Sequence, residues 1–239
     1  TSICTNVPIR HLKGKPVWAD VDPTTGMSDI KDVEKLINKR TKAIMLLHKD
    51  GDIIDLDKYV DLAKSYGVRL IEDCAHTYGA RYNDKMIGNH GDICCFSFQA
   101  IKHLTTGDGG CMTFQDEELY ERGKKLKWLG VDRDKRDGNP WLSDITELGY
   151  KANMNDIAAT IGIEAQKVIE PIIEKYHHNG ELFTKTLKEM NVPGVTLIRR
   201  DPKAYSVYWT YVIMSEKRDG LCAYLEKNGV FAEQNHPRN

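Results

Sequence analysis

The chain has 239 residues, of which 41% are hydrophobic and 29% charged, and its formal net charge is −1. That is an ordinary soluble composition, long enough for one large domain or one and a half with a full core. It excludes a nucleic-acid binder held by a general positive field. Six cysteines fall in no CxxC pair or Cys/His ligand spacing, which argues against a zinc site or disulfide framework. No run is apolar enough for a membrane span and no signal peptide opens the chain, so a cytoplasmic protein is expected.

Residues 1–8 do not read as the start of a domain. Residues 16–22 (Pro-Val-Trp-Ala-Asp-Val-Asp) read as a buried strand ending in acids, and Pro23-Thr24-Thr25-Gly26 as a turn. Ser28 or Asp29 caps a helix through about Ile37, with Ile30, Val33, Leu36 and Ile37 at helical spacing. Residues 42–48 form a second, continuously apolar strand. A helix from Asp55 to Tyr66 is stopped by Gly67, and residues 68–73 form a third strand. Apolar strands alternating with helices across short links predict a mostly parallel α/β sheet covered by helices on both faces.

Residues 93–98 and 110–114 are further strands, flanking Lys102. Asp116 starts a helix to about Leu129, and residues 132–144, with Gly138, Asn139 and Pro140, read as an exposed loop. Asn155 or Asp156 opens a helical tract to about Met190, with Pro171 marking a new first turn. Residues 195–198 and 207–214 then read as strands, 219–227 as a helix and 230–233 as a strand. This predicts a large unit over residues 1–153, then linking helices and a smaller α+β unit over residues 154–239.

The chemistry centres on Lys102. A lone lysine is usually a solvated surface charge. This one follows Phe96-Ser97-Phe98 and precedes Thr105-Thr106-Gly107-Asp108-Gly109-Gly110. The setting suits an amine that forms a Schiff base with pyridoxal phosphate. Asp73 closes an apolar strand, and in open parallel sheets ligands sit at such carboxyl ends. A carboxylate there either caps a turn or keeps a pyridine nitrogen protonated, so that the ring withdraws electrons from an adjacent carbanion. Ser97 either donates to a phosphate oxygen or is a satisfied strand-end hydroxyl. His76, three residues past Asp73, is a pocket histidine or a core one. No GxGxxG after a strand and no P-loop is present, and nothing supports a Cys-His dyad or a serine triad.

Taken together, these segments resemble the DegT/StrS nucleotide-sugar aminotransferases, pyridoxal-phosphate enzymes of the aspartate-aminotransferase fold (fold type I). The resemblance runs along nearly the whole chain. It includes residues 15–22, Glu72-Asp73-Cys74-Ala75-His76, Gly79-Ala80, Gly91-Asp92, residues 149–159 and, most specifically, Ser97-Phe98 with Lys102 and the Thr105–Gly110 string. It implies that Lys102 bonds the cofactor and then moves a proton between carbon centres. By the same resemblance, Asp73 binds the pyridine nitrogen and Ser97 the phosphate. His76 stands near the cofactor's phenolic oxygen, where glutamine is common. Lys151 stands where many members have asparagine, on a loop that reaches the neighbouring subunit's cofactor phosphate, so a homodimer with shared sites is implied. His236 and Arg238 match a substrate-side segment.

The implied activity is transfer of an amino group from an amino acid, glutamate above all, to a keto-deoxy sugar of a nucleotide sugar. Neither a membrane nor a nucleic-acid partner nor a metal is implied. Relatives extend beyond both ends of this sequence, which predicts a truncated polypeptide with an incomplete small domain. The alternative is a truncated or non-catalytic binding or regulatory module of the same fold.

Overall fold

A computed structural model describes residues 3–134, 145 and 147–235. The first half runs α1 (Ile3–His11), α2 (Ile30–Leu36), β1 (Ala43–Leu47), α3 (Leu56–Tyr66), β2 (Arg69–Asp73), β3 (Arg81–Tyr82), β4 (Lys85–Met86), β5 (Ile93–Ser97) and β6 (Gly110–Phe114). The second half runs α4 (Glu117–Leu126), α5 (Asp156–Gln166), α6 (Ile169–Met190), β7 (Val195–Leu197), β8 (Ala204–Tyr205), β9 (Ile213–Ser215) and α7 (Arg218–Lys227).

The main sheet has the order β1-β2-β5-β6, with β1, β2 and β5 parallel and β6 antiparallel at the edge. β1 is apolar throughout, whereas β2 sets Leu70 and Ile71 between Arg69 and the acids Glu72 and Asp73. Alternation along the strands puts Ile44, Leu46, Leu70 and Cys94 on a fully buried face. That face is packed by α3, which turns Leu56, Tyr59, Leu62 and Ala63 inward. Each such side chain contributes about 1.5–3 kcal/mol on burial. The opposite face, with Met45, Ile71 and Cys95, is only half-buried. The register sets Leu47 beside Asp73 and Asp73 beside Cys95, so β1, β2 and β5 end together.

Most predicted elements form. The break between α5 and α6 falls at Lys167–Val168, and Pro171 sits in the first turn of α6, where its missing N–H costs nothing. Asp116 caps α4 through the N–H groups of Glu118 and Leu119.

Three expectations are corrected; from Ile3 onward the opening residues form α1, with Pro8 inside the helix. Residues 16–22 form no strand beyond one bridge, Val21 to Ser28. The backbone there folds on itself instead: Asp22 N–H donates to Met27 O at 2.8 Å, Asp29 N–H donates to Asp20 O at 2.8 Å, and Val17 and Trp18 stay exposed. Of residues 207–214, only the last two enter β9. Tyr208 has a left-handed backbone (φ 46°), and the stretch bonds to the turn after β1 rather than to a ladder. Residues 230–233 are not in a strand, and Phe231 is 83% exposed. Most of the expected loop over residues 132–144 lies outside the described residues.

The β3–β4 hairpin is an addition. Asn83 and Asp84 both have positive φ, the two-residue turn that matches the twist of paired strands. β3 also pairs with β8, so the later part of the chain is stitched to the earlier part by backbone hydrogen bonds.

Candidate active site

The site lies at the carboxyl ends of β2 and β5. Asp73 is the last residue of β2, and Ser97 is the last of β5, two residues past the partner of Asp73. Each Asp73 oxygen has a fixed donor. Ala75 N–H reaches Oδ1 at 3.1 Å, and the Thr5 hydroxyl of α1 reaches Oδ2 at 2.6 Å. These bonds hold the carboxylate plane and leave further lone pairs for a ligand.

After β5 the chain turns through Thr105 and Thr106. The Thr105 hydroxyl donates to Phe98 O at 3.2 Å, and the Thr106 N–H donates to the same carbonyl at 2.9 Å. Lys102 lies in this loop, and its N–H donates to Gln99 O at 2.9 Å. Burial holds the Lys102 amine below the ordinary lysine value, while the charge of Asp73 pulls it part of the way back. Asp73 and Lys102 are therefore electrostatic neighbours. His103, next in sequence, is pushed down to about 4 by burial, with the Lys102 charge acting in the same direction.

Two groups complete the site that the sequence reading did not single out. The Trp209 indole lies 4.1 Å below the Lys102 Nζ, in cation–π range, and its Nε1–H donates to Ile101 O at 2.9 Å. The same indole stacks on His76, with ring centroids 3.8 Å apart and planes 14° from parallel. His76 is buried, and its Nδ1 accepts the Asp50 N–H at 3.2 Å. Thr5 escaped notice because residues 1–8 were given no element, and Trp209 because residues 207–214 read as a strand.

Lys151 is exposed; its Nζ bonds Asn153 Oδ1 at 2.6 Å and lies 3.9 Å from the Trp128 ring centroid. His236 and Arg238 lie outside the described residues. Asn235, just before them, donates to Asp50 Oδ2 at 2.8 Å.

Behind Asp73, on the buried face, His48 Nε2 and Glu72 Oε2 are 2.7 Å apart. Glu72 also accepts from Gly91 N–H and from the Cys94 thiol. Burial alone pushes Glu72 up, but these donors outweigh it and hold the carboxyl below its usual value. Cys74 adds a third donor atom within 4.8 Å of the other two. The Glu72 oxygens are already committed to hydrogen bonds, so the cluster reads as a braced core beneath the strand ends.

The residues present fit a pyridoxal phosphate group. A carboxylate held by two donors stands at one strand end, a hydroxyl at the next, and a half-buried amine within reach of the carboxylate's charge. Comparison with known proteins points the same way. The chain is 41% identical over 250 residues to the UDP-4-amino-4-deoxy-L-arabinose--oxoglutarate aminotransferase of Shewanella sediminis, covering 97% of this chain and 62% of that one. It is 30% identical over 229 residues to the GDP-perosamine synthase of Escherichia coli O157:H7, covering 94% and 60%. Its fold matches the crystal structure of AtS13 from Actinomadura melliaura with a TM-score of 0.93 at 34% identity, over 98% of this chain and 64% of that one. The chain thus spans less than two thirds of the length of each. With a family model matching residues 1–238, the chain belongs to the DegT/DnrJ/EryC1/StrS aminotransferase family.

Proposed function

We propose that this protein is a pyridoxal-phosphate-dependent aminotransferase that moves an amino group from glutamate to the keto-deoxy sugar of a nucleotide sugar. The observation that carries the reading is that Asp73 and Ser97 end neighbouring parallel strands, with Lys102 on the loop after Ser97 near enough to feel the charge of Asp73. The choice of donor and substrate is supported by the Shewanella relative, whose name pairs a nucleotide-linked amino sugar with oxoglutarate.

Pyridoxal phosphate, when bound, supplies a ring that accepts the electron pair released from a substrate C–H bond. Asp73 keeps the pyridine nitrogen protonated, and Thr5 and Ala75 fix the carboxylate for that task. Ser97 would donate its hydroxyl to a phosphate oxygen of the bound cofactor, and the Thr105–Gly110 turn would help to hold the same group. Burial leaves Lys102 Nζ more readily neutral than a surface lysine, so it can take a proton from one carbon and return it to another. Trp209 beneath the amine limits where Nζ can swing.

Two copies form the working unit. Support comes from α5, where Ile157, Ile161 and Ile163 are exposed and none of the helix is buried. Lys151, His236 and Arg238 act toward phosphate and substrate in this assembly. The six free cysteines suit a reducing cytoplasm.

The test is spectroscopic. Purified protein given pyridoxal phosphate should develop a yellow absorbance band that glutamate bleaches, while Lys102→Ala should never yellow and should lose turnover at least about 10³-fold. A Lys102→Ala protein that keeps both band and turnover would remove the central claim. Sedimentation as a monomer at micromolar concentration would remove the dimer.

A further inference from the structure

The turn after β1 is unusual. Residues Lys49–Gly51 form one 3-10 turn in which Asp50 takes a left-handed backbone (φ 62°, ψ 11°), and Gly51 follows at φ 93°. A non-glycine residue in that region costs energy, which aspartate tolerates better than most. Asp50 is nevertheless 2% exposed. Its conformation is held by its side chain: Oδ1 accepts from the Thr210 hydroxyl at 2.9 Å, and Oδ2 accepts from Lys49 Nζ at 2.9 Å and Asn235 Nδ2 at 2.8 Å. The main chain is clasped too. Val207 N–H donates to Gly51 O at 2.9 Å and Thr210 N–H to Asp50 O at 3.2 Å. A Cβ on Gly51 would collide with the backbone nitrogens of Tyr208 and Trp209.

This conformation aims the Asp50 N–H at His76 Nδ1. A backbone N–H donates only to a ring nitrogen that carries a lone pair, so the imidazole proton must reside on Nε2. We infer that Asp50 is a positioning residue that keeps His76 neutral with its proton on Nε2, and that Thr210 and Asn235 maintain this state through the Asp50 carboxylate. If the function proposed above holds, His76 is then a hydrogen-bond donor toward the cofactor's phenolic oxygen. Asn235, immediately before the substrate-side residues His236 and Arg238, ties the setting of that donor to the C-terminal segment.

The test needs no cofactor, so it can fail independently of the proposed activity. Nitrogen-15 histidine spectra of the whole protein, with His76→Gln to assign the ring, report which nitrogen is protonated. The parent should show His76 as a single tautomer protonated at Nε2. Asp50→Gly keeps the left-handed turn at no steric cost but loses every carboxylate contact, so His76 should become a mixture of tautomers. Asn235→Ala, which removes one of the three side-chain contacts, should shift the ratio in the same direction by a smaller amount. A parent ring protonated at Nδ1 or on both nitrogens at neutral pH would overturn the inference. So would an Asp50→Gly protein that keeps the parent's single tautomer.

Discussion

His103 illustrates how a single residue beside the site couples acid to stability. Its ring is edge-on to Tyr176 at 4.7 Å, its Nε2 is buried without a hydrogen bond, and the Lys102 cation is adjacent. The folded protein holds it near 4, whereas the unfolded chain titrates at the ordinary histidine value of 6.5. Between those values the unfolded state binds the extra proton. Stability is therefore complete above pH 6.5 and declines as pH falls toward 4, by at most about 3 kcal/mol. Urea titrations should show this decline in the parent, and His103→Phe should flatten it by about that amount. An unchanged slope in the variant would assign the acid sensitivity to other groups.

At the level of elements, α6 shows packing overruling helix propensity. Gly180 lies inside this long helix, where alanine would ordinarily gain about 1 kcal/mol. A Cβ at that position would enter the ring of Tyr208. The ring has little room to yield, since its hydroxyl bonds Glu181 and the Arg200 guanidinium lies 4.5 Å over its face. Overpacking of this kind costs about 1–3 kcal/mol, so Gly180→Ala should lower the urea midpoint; a higher midpoint would mean that the ring moves aside.

The same segment marks where sequence reading stopped. β1 and β5 were legible as short, largely apolar runs bounded by turn residues, and β2 as Leu70-Ile71 following the helix stop at Gly67. The Lys102 loop was legible because Ser97, Thr105 and the glycines keep a fixed spacing. Residues 207–214 looked like a strand because Val, Tyr, Trp and Thr alternate there. Their conformation is set instead by the left-handed Tyr208 and by bonds to a turn whose Asp50 lies 160 positions away from Thr210. No local pattern encodes such a contact. In residues 16–22 the apolar content suggested a strand, but the acids and turn residues close the segment on itself.

Across the whole molecule, the early and late parts of the chain share one apolar core, which takes in Ile169, Ile173 and Val207, and buried polar pairs add to the join. Arg200 Nε bonds Asp52 Oδ1 at 2.8 Å, with side chains only 15% and 4% exposed. Burial pushes Asp52 up despite that cation, and Asp50 nearby adds to the push. Losing one member of such a pair leaves a buried charge and costs about 3–5 kcal/mol. Arg200→Met should therefore destabilise the protein strongly at neutral pH. Without the cation, Asp52 in the folded state should hold its proton above the unfolded value of 3.8, so the deficit should shrink as pH is lowered. A deficit independent of pH would trace the loss to the Tyr208 stacking instead.

The indole between His76 and Lys102 has an optical consequence. Tryptophan emission responds to a neighbouring imidazole, to a cation on its face and to any chromophore that absorbs where it emits. Trp209 touches the first two already and borders the place assigned to the third. The protein thus carries a built-in fluorophore at its site, able to report filling of the pocket and the charge of the amine above it without an added label.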